Sequence, residues 1–252
     1  MEDDRAVGVR LEDGSEHRAD RVISAADGHS TIYGMLGGRY TNEMIEQYYS
    51  EAGDSSPFGF VAFLGMDGGL PAEVFGDSHA VTLLFDDPLD LGGGIEQVSI
   101  HIVGYGPESG LMPEGKSVLK IEAQASYPYW KILRDSDRSA YNEEKRRMAG
   151  VIIEKISPWF PGLEGRIEVM DVSTPPTAER FTGCRFGWQA GPPKKNAAEI
   201  QRRGLSKTLP GLDRFHMVGQ WATAALGVSS VAVSGRNFIR DLCKSQRKRF
   251  MS

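Results

Sequence analysis

Apolar and polar positions change their period several times along the 252 residues, and each change marks an element. Val7, Val9 and Leu11 alternate with Gly8 and Arg10, Asp13-Gly14 supplies a turn, and the run RVISAAD follows; this predicts a β-hairpin feeding a buried strand that ends in small residues. Ile32, Met35 and Leu36, then Met44, Ile45 and Tyr48, suit two short helices broken at Gly37-Gly38. Residues 58–65, 81–85, 97–103 and 118–125 are β-rich and separated by Gly, Pro, Asp and Ser clusters, the signature of an antiparallel sheet. Gly104, Gly106 and Gly110 follow a strand, but Pro107 and Pro113 come next instead of a helix, so this is a loop and not a phosphate cradle.

Helical spacing returns at residues 138–160, where Met148, Ile152, Ile156 and Trp159 share a face behind a charged lead-in. A core-facing helix is the expectation; a membrane-docking face is the alternative. Residues 167–172 read as a strand, STPPTAERFTG as a loop, and 183–205 as a long connection. Phe215 to Val218 is a strand closed by Gly219; a small-residue crossing then leads to Ser229 and Ser230, either of which can cap a helix. Val231, Ala232, Phe238, Ile239, Leu242 and Cys243 form that helix's apolar face, with Arg236, Arg240 and Lys244 toward its C-terminal end.

Composition narrows the function classes. With 40% hydrophobic residues the chain buries a sizeable core. A net charge of −5 argues against general nucleic-acid binding, and the basic run at residues 244–249 reads as a solvated helix end. Cys184 and Cys243 are the only cysteines, too few for a disulfide framework or a metal cage. The start of the chain resembles no signal peptide, and no run of about 18 apolar residues occurs. A cytoplasmic protein is expected. Hydrolytic motifs are missing, and the histidines at positions 17, 29, 79, 101 and 216 have no ligand spacing.

Candidate chemistry gathers near the end. The open start of the last helix offers backbone N–H groups to an anion, while Gly219 and Gly227 omit side chains where a flat ligand or a pyrophosphate would approach. Gly219, Gln220, Gly227 and Val228 are therefore expected to face a cofactor crevice. Ala25 and Ala26 read on the sequence alone as the end of an ordinary buried strand before a turn at Asp27-Gly28; only if that strand belongs to a dinucleotide-binding domain would they lie at its carboxyl edge, small enough to border the crevice.

Three ordered segments carry a resemblance: ADRVISAADGHSTIYGMLGG, EVMDVSTPPTAERFTGCRFGW, and LPGLDRFHMVGQWA followed by VSGRNFIRDLCK. Together they resemble FAD-dependent oxidoreductases of the phytoene desaturase and carotenoid isomerase type, within the amine-oxidase-like flavoproteins. The resemblance implies an α/β (mixed α+β) fold: the distal part of an FAD-binding Rossmann-like domain at residues 1–50 and 205–252, around an inserted antiparallel β-sheet plus helix substrate domain at 51–204. It implies FAD as cofactor, hydride transfer to the flavin or flavin-mediated isomerisation, and an apolar, polyene-like substrate bordered by Arg180 and Trp221; each of these two also has a plain packing role available. Family members begin with a strand, a G-x-G-x-x-G turn and a helix that hold the FAD pyrophosphate. These 252 residues contain no such turn, so a separate FAD-binding segment or subunit is the expected partner, and the chain alone is expected to be colourless. Thr223 to Gly227 stand where the family has a Pro-Gly-Gly-Gly run. A lipophilic substrate also implies possible peripheral membrane contact. A different class remains open beside the enzyme: a non-catalytic module that binds a lipid or pairs with an FAD-binding chain.

Overall fold

The computed structural model describes residues 1–50, 55–187, 206–222 and 227–251. Most of the expected 183–205 connection and the crossing at residues 223–226 lie outside them. The chain forms a mixed α/β structure of two compact units. The first comprises Met1–Gly53, Gly183–Arg185 and Ala190–Ser252; the second comprises Asp54–Thr182 and Phe186–Gln189.

In the first unit, β1 (Gly8–Arg10) and β2 (Glu16–Arg18) pair antiparallel across a turn in which Gly14 has φ +86° and the Asp13 carboxylate accepts from the Ser15 N–H at 2.9 Å. β3 (Val22–Ser24) is followed by a π-helical turn (Ser30–Met35), and the chain breaks at Gly37 and Gly38, both at positive φ, before α1 (Glu43–Ser50).

The second unit holds β4 (Ser55–Asp67), α2 (Ala72–Phe75), β5 (Ala80–Asp90), β6 (Glu96–Tyr105), β7 (Lys116–Ser126), α3 (Tyr127–Ser136), α4 (Arg138–Ile156), α5 (Leu163–Arg166), β8 (Ile167–Ser173) and α6 (Pro175–Thr182). Its strands make one antiparallel sheet in the order β5-β6-β7-β4-β8. Alternation decides which face is covered: Phe60, Ala62 and Leu64, Ile100 and Ile102, and Leu119, Ile121 and Ala123 are buried in one cluster with Tyr141, Met148, Ala149, Ile152, Ile153 and Ile156 of α4. Met148, Ile152 and Ile156 of the expected stripe are thus consumed by the core, which leaves them unavailable for membrane docking, whereas Trp159, beyond the end of α4, is exposed. Asp137 starts α4 by accepting from the N–H groups of Ser139 and Ala140 at 2.8 and 3.0 Å.

Two helices differ from the sequence reading. α3 follows β7 without a break, because Ser126 caps it and Pro128 suits its first turn, while its aromatic residues favour strand by propensity. The expected STPPTAERFTG loop is largely α6: prolines are tolerated in a first turn, and the Thr174 carbonyl accepts from Thr177 and Ala178 at 2.8 and 3.0 Å.

The first unit closes with β9 (Phe215–Met217), a 3₁₀ turn (Gln220–Ala222) and α7 (Val228–Ser245). β9 pairs parallel with β3, Val22 opposite Phe215 and Ser24 opposite Met217.

Candidate functional site

The parallel pair brings two chain reversals together. The Val218 N–H donates to the Ser24 carbonyl at 2.9 Å, and just beyond it Gly219 turns at φ +95°. Among the described residues a β-carbon on Gly219 would meet only the Ala25 carbonyl, at 3.9 Å, so they leave space where a side chain would project. The Gly219 N–H donates to the hydroxyl of Ser234, a buried residue of α7, at 3.2 Å, which ties the strand end to the helix. The Ser24 hydroxyl lies 2.8 Å from that of Thr31, fixing the segment that carries Ala25 and Ala26.

The start of α7 differs from the serine cap expected. Its N-cap is Gly227, at φ +88° and ψ 155°, with no side-chain cap hydrogen bond among the described residues, and Ser229 and Ser230 fall inside the helix. Among the described residues nothing lies within 4 Å of where a β-carbon on Gly227 would sit, and Val228 is 86% exposed. The described residues therefore place no capping side chain on the backbone donors at this end.

A cleft of ≈ 830 Å³ within the first unit is bordered by Val9, Arg10, Ile23, Ala25, Ala26 and Thr31 among others. It runs between β3 and the β1–β2 hairpin. Ala25 and Ala26 line it; Gly219, Gln220, Gly227 and Val228 do not. Trp221 is buried, with its Cβ 3.1 Å from where a β-carbon on Gly28 would sit, which is the geometry of a packing anchor. Arg180 belongs to the second unit, on α6, with its guanidinium 5.4 Å from the centroid of the Phe181 ring.

A polar and aromatic cluster that matches no sequence motif lies directly after Ala26. Asp27 is buried; one carboxylate oxygen accepts from the Ser30 N–H at 2.7 Å, and the other has no partner among the described residues. Burial pushes its carboxyl up from the ordinary range, against the backbone hydrogen bonds that hold it down. His29 stacks on Tyr33 at 4.7 Å and meets Tyr49 edge-on at 5.2 Å. Burial, with the Arg185 charge as a smaller cause, pulls the His29 imidazole down to about 4. The Tyr49 hydroxyl is buried without a partner among the described residues, and burial raises its phenol as well. Burial likewise pushes Tyr48 up to about 12. Sequence offered only two weak signals for this cluster: Asp27 preceding a helix in capping position, and aromatic spacing in residues 29–49.

Among the described residues no helix is long and apolar enough to cross a membrane, and no group of three or more His, Cys, Asp or Glu could hold a metal ion.

The chain is 29% identical over 238 residues to the chloroplastic prolycopene isomerase of Arabidopsis thaliana, an alignment that covers 92% of this chain and 38% of that protein. It is 28% identical over 240 residues to its counterpart in Daucus carota, with 93% and 37% covered, and equally so to prolycopene isomerase 2 of an Oncidium hybrid cultivar, with 93% and 39% covered. No family model matches the sequence. The chain spans less than two fifths of the length of the curated relatives it matches, and along nearly all of its own length it is similar to carotenoid isomerases.

Proposed function

We propose that this chain is the C-terminal portion of an FAD-dependent, carotenoid-isomerase-like oxidoreductase. In this reading the first unit is the distal part of a Rossmann-like FAD-binding domain and the second is the substrate domain. The observation that supports it is the convergence of the β3 and β9 ends: Ala25 and Gly219 adjoin with space in front of them among the described residues, and Gly219 is tied to α7, whose N-cap Gly227 makes no side-chain cap hydrogen bond. Small residues at parallel strand ends beside a helix start suit a flat, anionic group, so the residues fit FAD. Gly219, Gln220 and the N–H groups from Val228 onward would hold it, with Ala25 and Ala26 leaving room. When bound, FAD supplies hydride acceptance or, once reduced, electron density for isomerising a polyene. The chain's part is to orient the cofactor, exclude water and set the α7 dipole toward developing negative charge. The substrate is an apolar polyene lying on the sheet of the second unit, with Arg180 at its border.

One helix start contributes roughly 0.3–2 kcal/mol toward an anion, less than the several kcal/mol, by rough estimate, that association costs in lost freedom. Retention of FAD therefore requires a polypeptide bearing the glycine turn. Co-expression of the 252 residues with a strand, G-x-G-x-x-G and helix segment taken from a prolycopene isomerase tests this. Yellow flavin absorbance that appears only with both pieces is expected. No flavin with both pieces overturns the FAD reading, and stoichiometric FAD on the 252 residues alone overturns the need for a partner.

A further inference from the structure

The core takes one face of the five-stranded sheet. Leu64, Ile100, Ile121 and Val172 belong to the cluster that also holds Trp130 of α3 and the buried side of α4, so alternation directs their neighbours to the opposite face. Register orders that face into rows across the strands. One row runs Thr82, His101, Glu122, Val61 and Ser173; the next runs Val103, Lys120, Phe63 and Asp171; a third runs Tyr105, Val118, Gly65 and Val169. Two residues separate successive rows, which therefore lie about 7 Å apart.

Character changes from row to row. The first is polar across three strands: the Thr82 hydroxyl lies 3.1 Å from His101 Nδ1, and Glu122 stands opposite His101. The third is mainly apolar, with Val118 and Val169 on either side of Gly65 and Val169 66% exposed. At the junction Lys120 Nζ lies 2.5 Å from Glu122 Oε1, while Phe63, 37% exposed, stands directly opposite Lys120. The pair is held largely out of water, its Lys and Glu side chains only 27% and 11% exposed.

An ion pair at the head of an apolar strip decides what can lie along it. A hydrocarbon laid over Lys120 and Glu122 would strip their remaining water and return no hydrogen bond. A carboxylate would be repelled by Glu122 and an ammonium by Lys120. A hydroxyl matches both, because it donates its proton to the carboxylate and accepts from the ammonium. We propose that this face binds a polyene ending in a hydroxyl group, with the hydroxyl set between Lys120 and Glu122 and the chain running over Phe63, Val118 and Val169. This selection of the end group rests on the reading of the second unit as the substrate domain.

Quenching of tryptophan fluorescence in the full 252-residue chain tests the proposal. The probes are zeaxanthin, whose ends carry hydroxyls, and β-carotene, which has the same skeleton without them, both delivered in detergent micelles. Zeaxanthin should bind roughly tenfold or more tighter than β-carotene. The double substitution Lys120→Met, Glu122→Met should bring the two affinities within about twofold with the thermal midpoint maintained, since replacing both partners leaves no unpaired charge. Phe63→Ser should weaken both polyenes alike and leave their ratio intact. Equal affinities in the unaltered chain, or a preference retained by the double variant, overturns the selection while the substrate-domain reading stands. Binding of neither polyene overturns both.

Discussion

Tyr49 and Tyr141 are both buried, yet their hydroxyls meet opposite conditions. Tyr141 lies 2.5 Å from the Thr174 hydroxyl and 3.0 Å from that of Thr177, whereas the Tyr49 hydroxyl has no partner among the described residues. Removing a satisfied buried hydroxyl costs about 1–2 kcal/mol, while removing an unsatisfied one relieves a desolvation penalty. Tyr141→Phe should therefore lower the denaturant midpoint and Tyr49→Phe should leave it unchanged or raise it; a fall in the second comparable to the first would mean that Tyr49 has a partner. His29 sets a pH dependence nearby. Its folded value, about 4, lies below the ordinary 6.5, so the unfolded chain protonates first. The stability from neutral His29 is complete above pH 6.5 and is lost as pH falls toward 4. Solvent screening of this half-buried ring holds the loss to on the order of 1–2 kcal/mol. Asp27, whose carboxyl burial raises, acts in the opposite sense: its contribution is present at low pH and fades as pH rises through its folded value. Urea titrations from pH 7 to 4 should show the acid loss reduced in His29→Phe, with what remains attributable to other groups; an unchanged slope would contradict the assignment.

At the scale of elements, the positive φ of Gly227 alters what a substitution there can test. Sequence alone suggests that Gly227→Val would block a flavin while barely altering the fold. At φ +88° any L side chain is strained, by roughly 1–2 kcal/mol, so flavin loss in that variant would mix strain with blockage. Ala26 is the cleaner position, because it lines the cleft and is not among the residues at positive φ. Ala26→Phe should reduce flavin retention in the co-expressed protein with little change in thermal midpoint, whereas Gly227→Ala should lower the midpoint. Undiminished flavin in Ala26→Phe would argue that the cofactor does not pass this strand end. The helices show how local signals compete. α4 was legible because its period and Asp137 cap agree. α3 was not, since Tyr127, Tyr129 and Trp130 favour strand and only the packing of Trp130 into the core reveals the turn. α6 was hidden by Pro175-Pro176, which mark a loop or a first turn with equal force.

For the molecule as a whole, the two-stranded β3–β9 sheet leaves an edge. The Val22 N–H donates to the Arg214 carbonyl and the Ser24 carbonyl accepts from Val218, so alternate residues Ile23 and Ala25 direct their N–H groups to the other side, toward the cleft. Neither N–H has a partner among the described residues, and Ile23 is 44% exposed. An exposed edge of this kind is a template for another strand. If a strand from the FAD-binding segment enters there, hydrogen exchange should slow at Ile23 and Ala25 on co-expression while the Ser24 amide, already facing β9, changes little. Slowing at all three alike, or at none, would place that segment elsewhere.

What the sequence determined by itself was local: the alternation that makes the five-stranded sheet, the helical period of α4 and α7, the glycine breaks at 37–38 and 219, and the resemblance that points toward carotenoid isomerases. These follow from side-chain period and backbone permissiveness, which neighbouring residues carry between them. Only the tertiary structure decided which face of α4 is covered, that Gly227 and not a serine begins α7, that Trp221 is buried beside Gly28, and that Asp27, His29 and Tyr49 meet. Those outcomes depend on contacts between residues far apart in the chain, where burial and hydrogen-bond satisfaction override local propensity.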